Sequence, residues 1–373
     1  MQLRPTIAVV GASVRSAAFS LLRVGCRVVA ADLFADADLK RECAVTRIAD
    51  YPAELFDWLA KTECDGWLYT GALENHPELI DRMAESKPLL GSPGVVLRRV
   101  RDPLELQRVL NVAGLNFPET KPCDGSPPGD GAWLHKTGQG GNGSGVSHHQ
   151  SEPPGLPRRD GYWQRQIQGT PGSALFIDGE LQGITQQLIA EPWTRAGEFQ
   201  YCGTLAPWRL PAAATADITR LGAVLATQFN LHGLFGADFI FDGTRVWPLE
   251  VNPRVTAAVE IVKRTAGTNL LAKHLATFDI AANDLPQETI TASGKAILYA
   301  KHPLAVSQVL SESLLARTGP LDSPQLADIP NPDTQISVGE PILTVLADGS
   351  SSDAVEAELR HRVAALEHEL YRG

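Results

Sequence analysis

The apolar runs of this chain are short and separated by turns. Thr6–Val10 is an apolar run ending at Gly11, Ser16–Val24 is helix-compatible, and Arg27–Ala31 is a second apolar run with Asp32 at its end. That order predicts a βαβ opening. Further strands are predicted at Gly66–Thr70 and near Leu89–Leu90, with helices over Ala53–Lys61 and Pro77–Ser86. Residues 1–95 therefore read as a small doubly wound α/β domain. A helix over Pro103–Ala113 follows, with Asp102 as N-cap, Pro103 at N1 and Gly114 as its stop.

Downstream come a Pro/Gly-rich loop at Pro122–Gly131, an apolar strand centred on Trp133-Leu134, and the densest glycine cluster, Gly138-Gln-Gly140-Gly141-Asn-Gly143-Ser-Gly145. After a polar segment, His148–Asp160, strands are predicted at Tyr162–Ile167 and Ala174–Ile177, joined by Gly169-Thr-Pro-Gly172. A helix over Ala213–Asn230 leads into two strands joined at Asp242-Gly243. Residues 96–275 form the predicted core of the protein. Residues 276–373 read as a β-rich cap with strands at Lys295–Ala300 and Pro341–Leu346. It closes with an amphipathic helix over Ser352–Tyr371, with Val355, Leu359, Val363, Leu366 and Leu370 on one face.

Apolar content of 43% and charged content of 20% place the chain among ordinary globular proteins. No apolar run approaches the roughly 20 residues of a membrane span, and the N-terminus lacks a signal-peptide pattern, so a cytoplasmic protein is expected. A net charge of −10 disfavours nucleic acid and anionic membranes as partners. The five scattered cysteines (Cys26, Cys43, Cys64, Cys123, Cys202) contain no Cys-x-x-Cys pair and read as reduced thiols.

The chemistry concentrates in the hairpin from Asp238 to Arg254. Strand alternation puts Glu250 and Asn252 on one face, and the fold-back brings Asp238 beside them. Acidic residues on a sheet face commonly meet only water, but here the flanks are strongly apolar (Phe239, Ile240, Phe241, Val246, Trp247, Leu249, Val251). Uncompensated carboxylates are costly in such strands. Two carboxylates and an amide suit Mg²⁺, with Mn²⁺ as an alternative ion. Arg254 lies one pleat further on, placed to meet an anion. About a hundred residues earlier, Lys136 opens the glycine cluster, where Gly140, Gly141 and Gly143 let backbone N–H groups close on phosphate. Neither Gly-x-Gly-x-x-Gly nor the Walker pattern occurs.

Lys136 with its glycine loop, the strand Tyr162-Trp-Gln-Arg-Gln-Ile-Gln-Gly169, Asp238 and Glu250-Val-Asn-Pro-Arg254 resemble, in this order, the ATP-grasp superfamily. The match covers roughly residues 1–275. The resemblance implies ATP held between two α+β subdomains behind a small α/β domain. Lys136 would meet the α-phosphate, the glycine loop would cover the β- and γ-phosphates, and the chain near Gln164, Gln166 and Ile167 would face adenine. Asp238, Glu250 and Asn252 would hold Mg²⁺, while Arg254 would stabilise the transferring phosphoryl or the tetrahedral intermediate. Arg101 stands where many relatives have a lysine, and the hinge has Gln164, Arg165, Gln166 and Gln168 in place of the common glutamate.

The resemblance further implies an ATP-dependent carboxylate–amine ligase, working through an acyl phosphate on small molecules. Homodimerisation is the family-based expectation. Within the superfamily the pattern is similar to the branch near the carbamoyl-phosphate-synthetase large chain, including the tyramine–glutamate ligase of methanofuran synthesis. The segments that carry this are Ala31–Asp38, Asp328–Asp333 and Gly339–Ile342. A carboxylase-type reaction and a nucleotide-binding regulatory protein without turnover are the alternatives. Candidate substrate readers sit on loops of the first domain: Ser13 and Arg15 after the first strand, Glu74 and Asn75 after the strand ending at Thr70. Arg15 suits a carboxylate and Glu74 an amine; the competing readings are a surface arginine and a cap for the Pro77 helix. His148-His149 reads as a solvated pair.

Overall fold

A computed structural model describes residues 4–123, 129, 132–138, 140–141, 143–148, 161–283 and 288–371. The first unit is a parallel four-stranded sheet in the order Ala44–Arg47, Arg27–Asp32, Thr6–Gly11, Gly66–Tyr69, with Leu89 bridging in parallel to Trp67 at its edge. Ile7, Ala8, Val9 and Val10 are fully buried, as in a parallel sheet covered on both faces. Helices Arg15–Arg23, Leu55–Lys61 and Pro77–Ser86 provide the cover expected from sequence. The short helix Ala37–Glu42 and strand Ala44–Arg47 carry too few apolar residues to be read from pattern.

Helix Pro103–Val112 leads into the rest of the chain, its Asp102 side chain accepting from the N–H groups of Leu104 and Glu105. Two antiparallel sheets follow. The smaller has the order Thr120–Pro122, Tyr162–Arg165, Trp133–Lys136, Val146–His148. The larger has eight strands in the order Val246–Asn252, Leu234–Phe241, Thr170–Ile177, Glu180–Ile189, Tyr201–Ala206, Ala292–Tyr299, Pro341–Gly349, Leu326–Ala327. Residues beyond 275 thus add three strands to this same sheet. Helix Ser352–Leu370 then buries Val355, Leu359, Val363, Leu366 and Leu370 in the cluster these strands share.

Helix Ala212–Phe229 packs Ile218, Leu221, Leu225 and Phe229 with Phe176, Phe235 and Phe239 of the large sheet. A Cβ at Gly222 would overlap the Phe176 ring, so glycine permits this close approach. The segment Gly169–Gly172, expected as a turn, is instead mostly strand. Pro171 pairs with Ile240 but lies beyond the last pairing with the neighbouring strand, Gly172 with Gln186, so its missing N–H breaks no ladder on that side. The chain crosses between the two sheets over residues 166–169. No described helix is long and apolar enough to cross a membrane.

Candidate active site

The hairpin forms because both strands are apolar on one face and the turn is closed by its own aspartate. Asp242 Oδ1 accepts from the N–H groups of Thr244 (2.8 Å) and Arg245 (2.7 Å), and Oδ2 accepts from Trp247 Nε1 (2.8 Å). The register sets Asp238 opposite Glu250 and Gly236 opposite Asn252, with a bulge after Asp238. Phe235, Ala237 and Phe239 face the helix Ala212–Phe229. On the other face, Asn252 Nδ2 donates to Asp238 Oδ2 (3.0 Å) and Gln187 Nε2 donates to Asp238 Oδ1 (3.0 Å). Burial, followed by the charge of Glu250, pushes the Asp238 carboxyl up to about 7 against the hydrogen bonds and Arg254. Two carboxylates and an amide, crowded so that one resists ionising, fit a hard divalent cation such as Mg²⁺. Among the described residues no trio drawn from His, Cys, Asp and Glu could hold a metal ion.

Lys136 ends the strand Trp133–Lys136, paired with Tyr162 on one side and Val146 on the other. Its Nζ donates to Gln164 Oε1 (2.7 Å), and Gln164, itself buried, donates from Nε2 to Thr120 Oγ1 (3.3 Å). Burial pulls the Lys136 ammonium below its usual range, with the charges of Glu250 and Asp238 opposing. The lysine of the small sheet and the acids of the large sheet therefore face one cleft.

The glycine cluster is the tip of the hairpin between these strands. Thr137 N–H donates to Gly145 C=O (3.0 Å), and Gly143 adopts φ +78°. A Cβ at Gly143 would overlap the Phe199 carbonyl oxygen, so this glycine lets the tip close on the segment beside the large sheet. His148 and Glu198 meet at 3.0 Å next to it. Gln139, Asn142, His149 and most of the expected Pro122–Gly131 and His148–Asp160 loops lie outside the described residues.

Arg254 joins this cleft to the first unit. Its Nε and Nη2 reach Glu74 Oε1 at 2.7 Å, and Nη2 also donates to Asn252 Oδ1 (3.0 Å). Burial disfavours the guanidinium charge, but Glu74 and the charges of Asp238 and Glu250 together outweigh it and raise the pKa. Arg101, expected near phosphate, donates from Nη1 to the Glu74 carbonyl (2.7 Å) and from Nη2 to Asn75 Oδ1 (2.8 Å). Ser13 is exposed, and its carbonyl accepts from Thr70 Oγ1 (2.9 Å).

Residues 100–258 match the ATP-grasp domain family, a span that holds Lys136, Asp238, Glu250, Asn252 and Arg254. Over the whole chain, N5-carboxyaminoimidazole ribonucleotide synthetase in its ADP complex is similar with a TM-score of 0.72 at 12% identity, covering 99% of this chain and 98% of that one. The chain has the ATP-grasp fold. Biotin carboxylase from Campylobacter jejuni, in a β,γ-ATP complex, is similar with a TM-score of 0.68 at 13% identity, over 94% and 89% of the two chains. The L-amino acid ligase from Bacillus licheniformis gives 0.67 at 16% identity, over 98% of each. In sequence, the chain is 29% identical over 185 residues to the uncharacterized protein MJ0776 of Methanocaldococcus jannaschii, spanning 49% of this chain and 41% of that protein.

Within this fold the expected residues do not all gather at the cleft. Lys136, Gln164, Asp238, Glu250, Asn252 and Arg254 converge. Gln166 and Ile167 lie in the crossing between the sheets, and the Gln166 N–H donates to Ala132 C=O (2.8 Å). Glu74 and Asn75 stand beside Arg254 and Arg101. Arg15 is placed differently from expectation, neither on the surface nor facing the cleft. It is 2% exposed, its Nη1 and Nη2 donate to Glu260 at 2.7 and 3.0 Å, and its Nε donates to Asp328 at 2.7 Å. Helix Val259–Ala266 supplies the Glu260 that pairs with Arg15, and Arg15 is buried there. Sequence reasoning passed over Gln187, which holds Asp238. Its only signal is a polar position in a strand whose neighbouring Gln186 obscures the alternation.

Proposed function

We propose that this protein is an ATP- and Mg²⁺-dependent carbon–nitrogen ligase that activates a small-molecule carboxylate and releases ADP. The observation that carries the reading is the meeting of Lys136, Asp238, Glu250 and Asn252 at one cleft, with Arg254 bridging to Glu74. Asp238, Glu250 and Asn252 would hold the metal. When bound, Mg²⁺ neutralises charge on the β- and γ-phosphates. Lys136 adds a positive charge against the phosphates, and the glycine tip offers backbone N–H groups to them. A substrate carboxylate oxygen attacks the γ-phosphorus and the bond to ADP breaks, leaving an acyl phosphate. The amine nitrogen then attacks the acyl carbon, phosphate departs with the bonding pair, and the nitrogen loses a proton. Arg254 would stabilise negative charge at the acyl carbon through its oxygen. Homodimerisation and a cytoplasmic location belong to the same proposal.

The finer reading, joining an amino acid to an amine as in the tyramine–glutamate ligase of methanofuran synthesis, rests on the sequence resemblance. A second reading, carboxylation, is supported by the chain-long likeness to N5-carboxyaminoimidazole ribonucleotide synthetase. Purified protein given Mg–ATP and paired amino acids and amines should release ADP and phosphate. Glu250→Gln should abolish this release without loss of fold. Formation of AMP and pyrophosphate would refute the acyl-phosphate route, and incorporation of labelled bicarbonate would favour the second reading.

A further inference from the structure

Two buried oxygens of the first unit, Glu74 Oε2 and Tyr51 Oη, have no hydrogen-bond partner among the described residues. Both residues follow strands of the parallel sheet at its C-terminal edge: Tyr51 after Ala44–Arg47 and Glu74 after Gly66–Tyr69. Open parallel sheets hold their ligands at that edge. Glu74 is 6% exposed, and its other oxygen is taken by Arg254. Tyr51 packs in the cluster that includes Leu73, the neighbour of Glu74. Burial raises the Tyr51 hydroxyl pKa; the charge of Glu74 adds to this and that of Arg254 opposes it, so these are the two charges that act most on it. Buried polar atoms are nearly always satisfied, and two orphans in one neighbourhood point to a missing partner.

The chemistry of that partner follows from what is left over. A carboxylate oxygen accepts only, and a phenol oxygen can accept as well, so a group that meets both is a donor with several hydrogens, and the Glu74 charge favours a positive one. That describes an ammonium. Arg254, one ion pair away, offers the opposite charge to a carboxylate. Adjacent positive and negative subsites fit a zwitterion. We propose that Glu74 Oε2 and Tyr51 Oη bind the ammonium of an α-amino acid whose carboxylate turns toward Arg254. The activated acid is then an amino acid, an assignment that rests on the reading of Arg254 given above.

Isothermal titration tests this with the twenty L-amino acids and their des-amino counterparts (glutarate for glutamate, succinate for aspartate, propionate for alanine). Each is run with and without Mg–ADP. At least one amino acid should bind, and its des-amino counterpart should bind at least tenfold more weakly. Tyr51→Phe should weaken the amino acid tenfold or more while leaving Mg–ADP affinity unchanged, and Glu74→Gln should weaken the amino acid by at least as much. Tyr51→Phe is the cleaner variant, because it removes an atom that bonds nothing among the described residues; its melting temperature should hold or rise. Equal binding of the des-amino acids, wild-type affinity in both variants, or no amino-acid binding by a protein that binds Mg–ADP would overturn the proposal. Failure to bind Mg–ADP, with amino acids still bound, would overturn the nucleotide reading instead.

Discussion

Replacing Arg15 with methionine separates a substrate reader from an internal tie. The methionine keeps an apolar stem beside Phe19, whose ring the guanidinium carbon overlies at 5.5 Å, so the packing loss is small. What disappears is three charged hydrogen bonds, two to Glu260 and one to Asp328. Asp328 is 24% exposed and recovers water, whereas Glu260 is 3% exposed and keeps Lys295 at 3.1 Å. Breaking a buried ion pair by removing one partner costs about 3–5 kcal/mol. With Lys295 still in place, the low end applies, about 3 kcal/mol. Urea unfolding followed by tryptophan fluorescence reads this as a lowered midpoint. The double variant Arg15→Met/Glu260→Gln should cost less than the sum of the two single changes, by roughly 1–3 kcal/mol. An unchanged midpoint together with a tenfold rise in substrate KM would refute the tie and restore Arg15 as a reader.

His274 provides a pH test. Its Nδ1 accepts from the Leu234 N–H and its Nε2 donates to Leu90 C=O, and burial lowers its pKa to about 4. Its folded pKa lies below the unfolded value, so its contribution is complete above about 6.5 and is lost as pH falls toward 4, by roughly 3 kcal/mol in all. The stability difference between wild type and His274→Gln should shrink over that interval. Gly143→Ala should slow turnover and weaken nucleotide binding, since the methyl meets the Phe199 carbonyl and φ is positive; a local cost of about 1–2 kcal/mol is expected, read by Mg–ADP titration. Asp242→Ala should destabilise the hairpin by about 1–2 kcal/mol through loss of two backbone hydrogen bonds and one to Trp247, measured by thermal melting.

The hairpin and Lys136 were legible because alternation and a short turn fix side-chain direction over a few residues. Helix Pro77–Ser86 was readable to the residue for the same local reason, with proline at its start. Arg15 was misplaced because Glu260 and Asp328 lie 245 and 313 residues away, a separation that no local pattern carries. Strand Glu180–Ile189 escaped notice because consecutive polar residues such as Gln186-Gln187 break the two-residue period. The orphan oxygens of Tyr51 and Glu74 depend on packing between loops and have no sequence signature.

The Arg15 cluster also ties the first unit to the rest of the chain. Arg15 comes from the first unit, Glu260 from the helix after the hairpin and Lys295 from the strand Ala292–Tyr299. Asp38 accepts from the N–H groups of Asp328 and Ile329 in the same region, adding a second tie. The first unit and the large sheet that carries Asp238 and Glu250 are thereby bolted into one chassis. The sheet that carries Lys136 meets that chassis where Gly143 approaches the Phe199 carbonyl and where His148 meets Glu198. If nucleotide enters past the glycine tip, a spectroscopic pair across 148 and 198 should change its separation when Mg–ADP is added, while one across 74 and 254 should hold still.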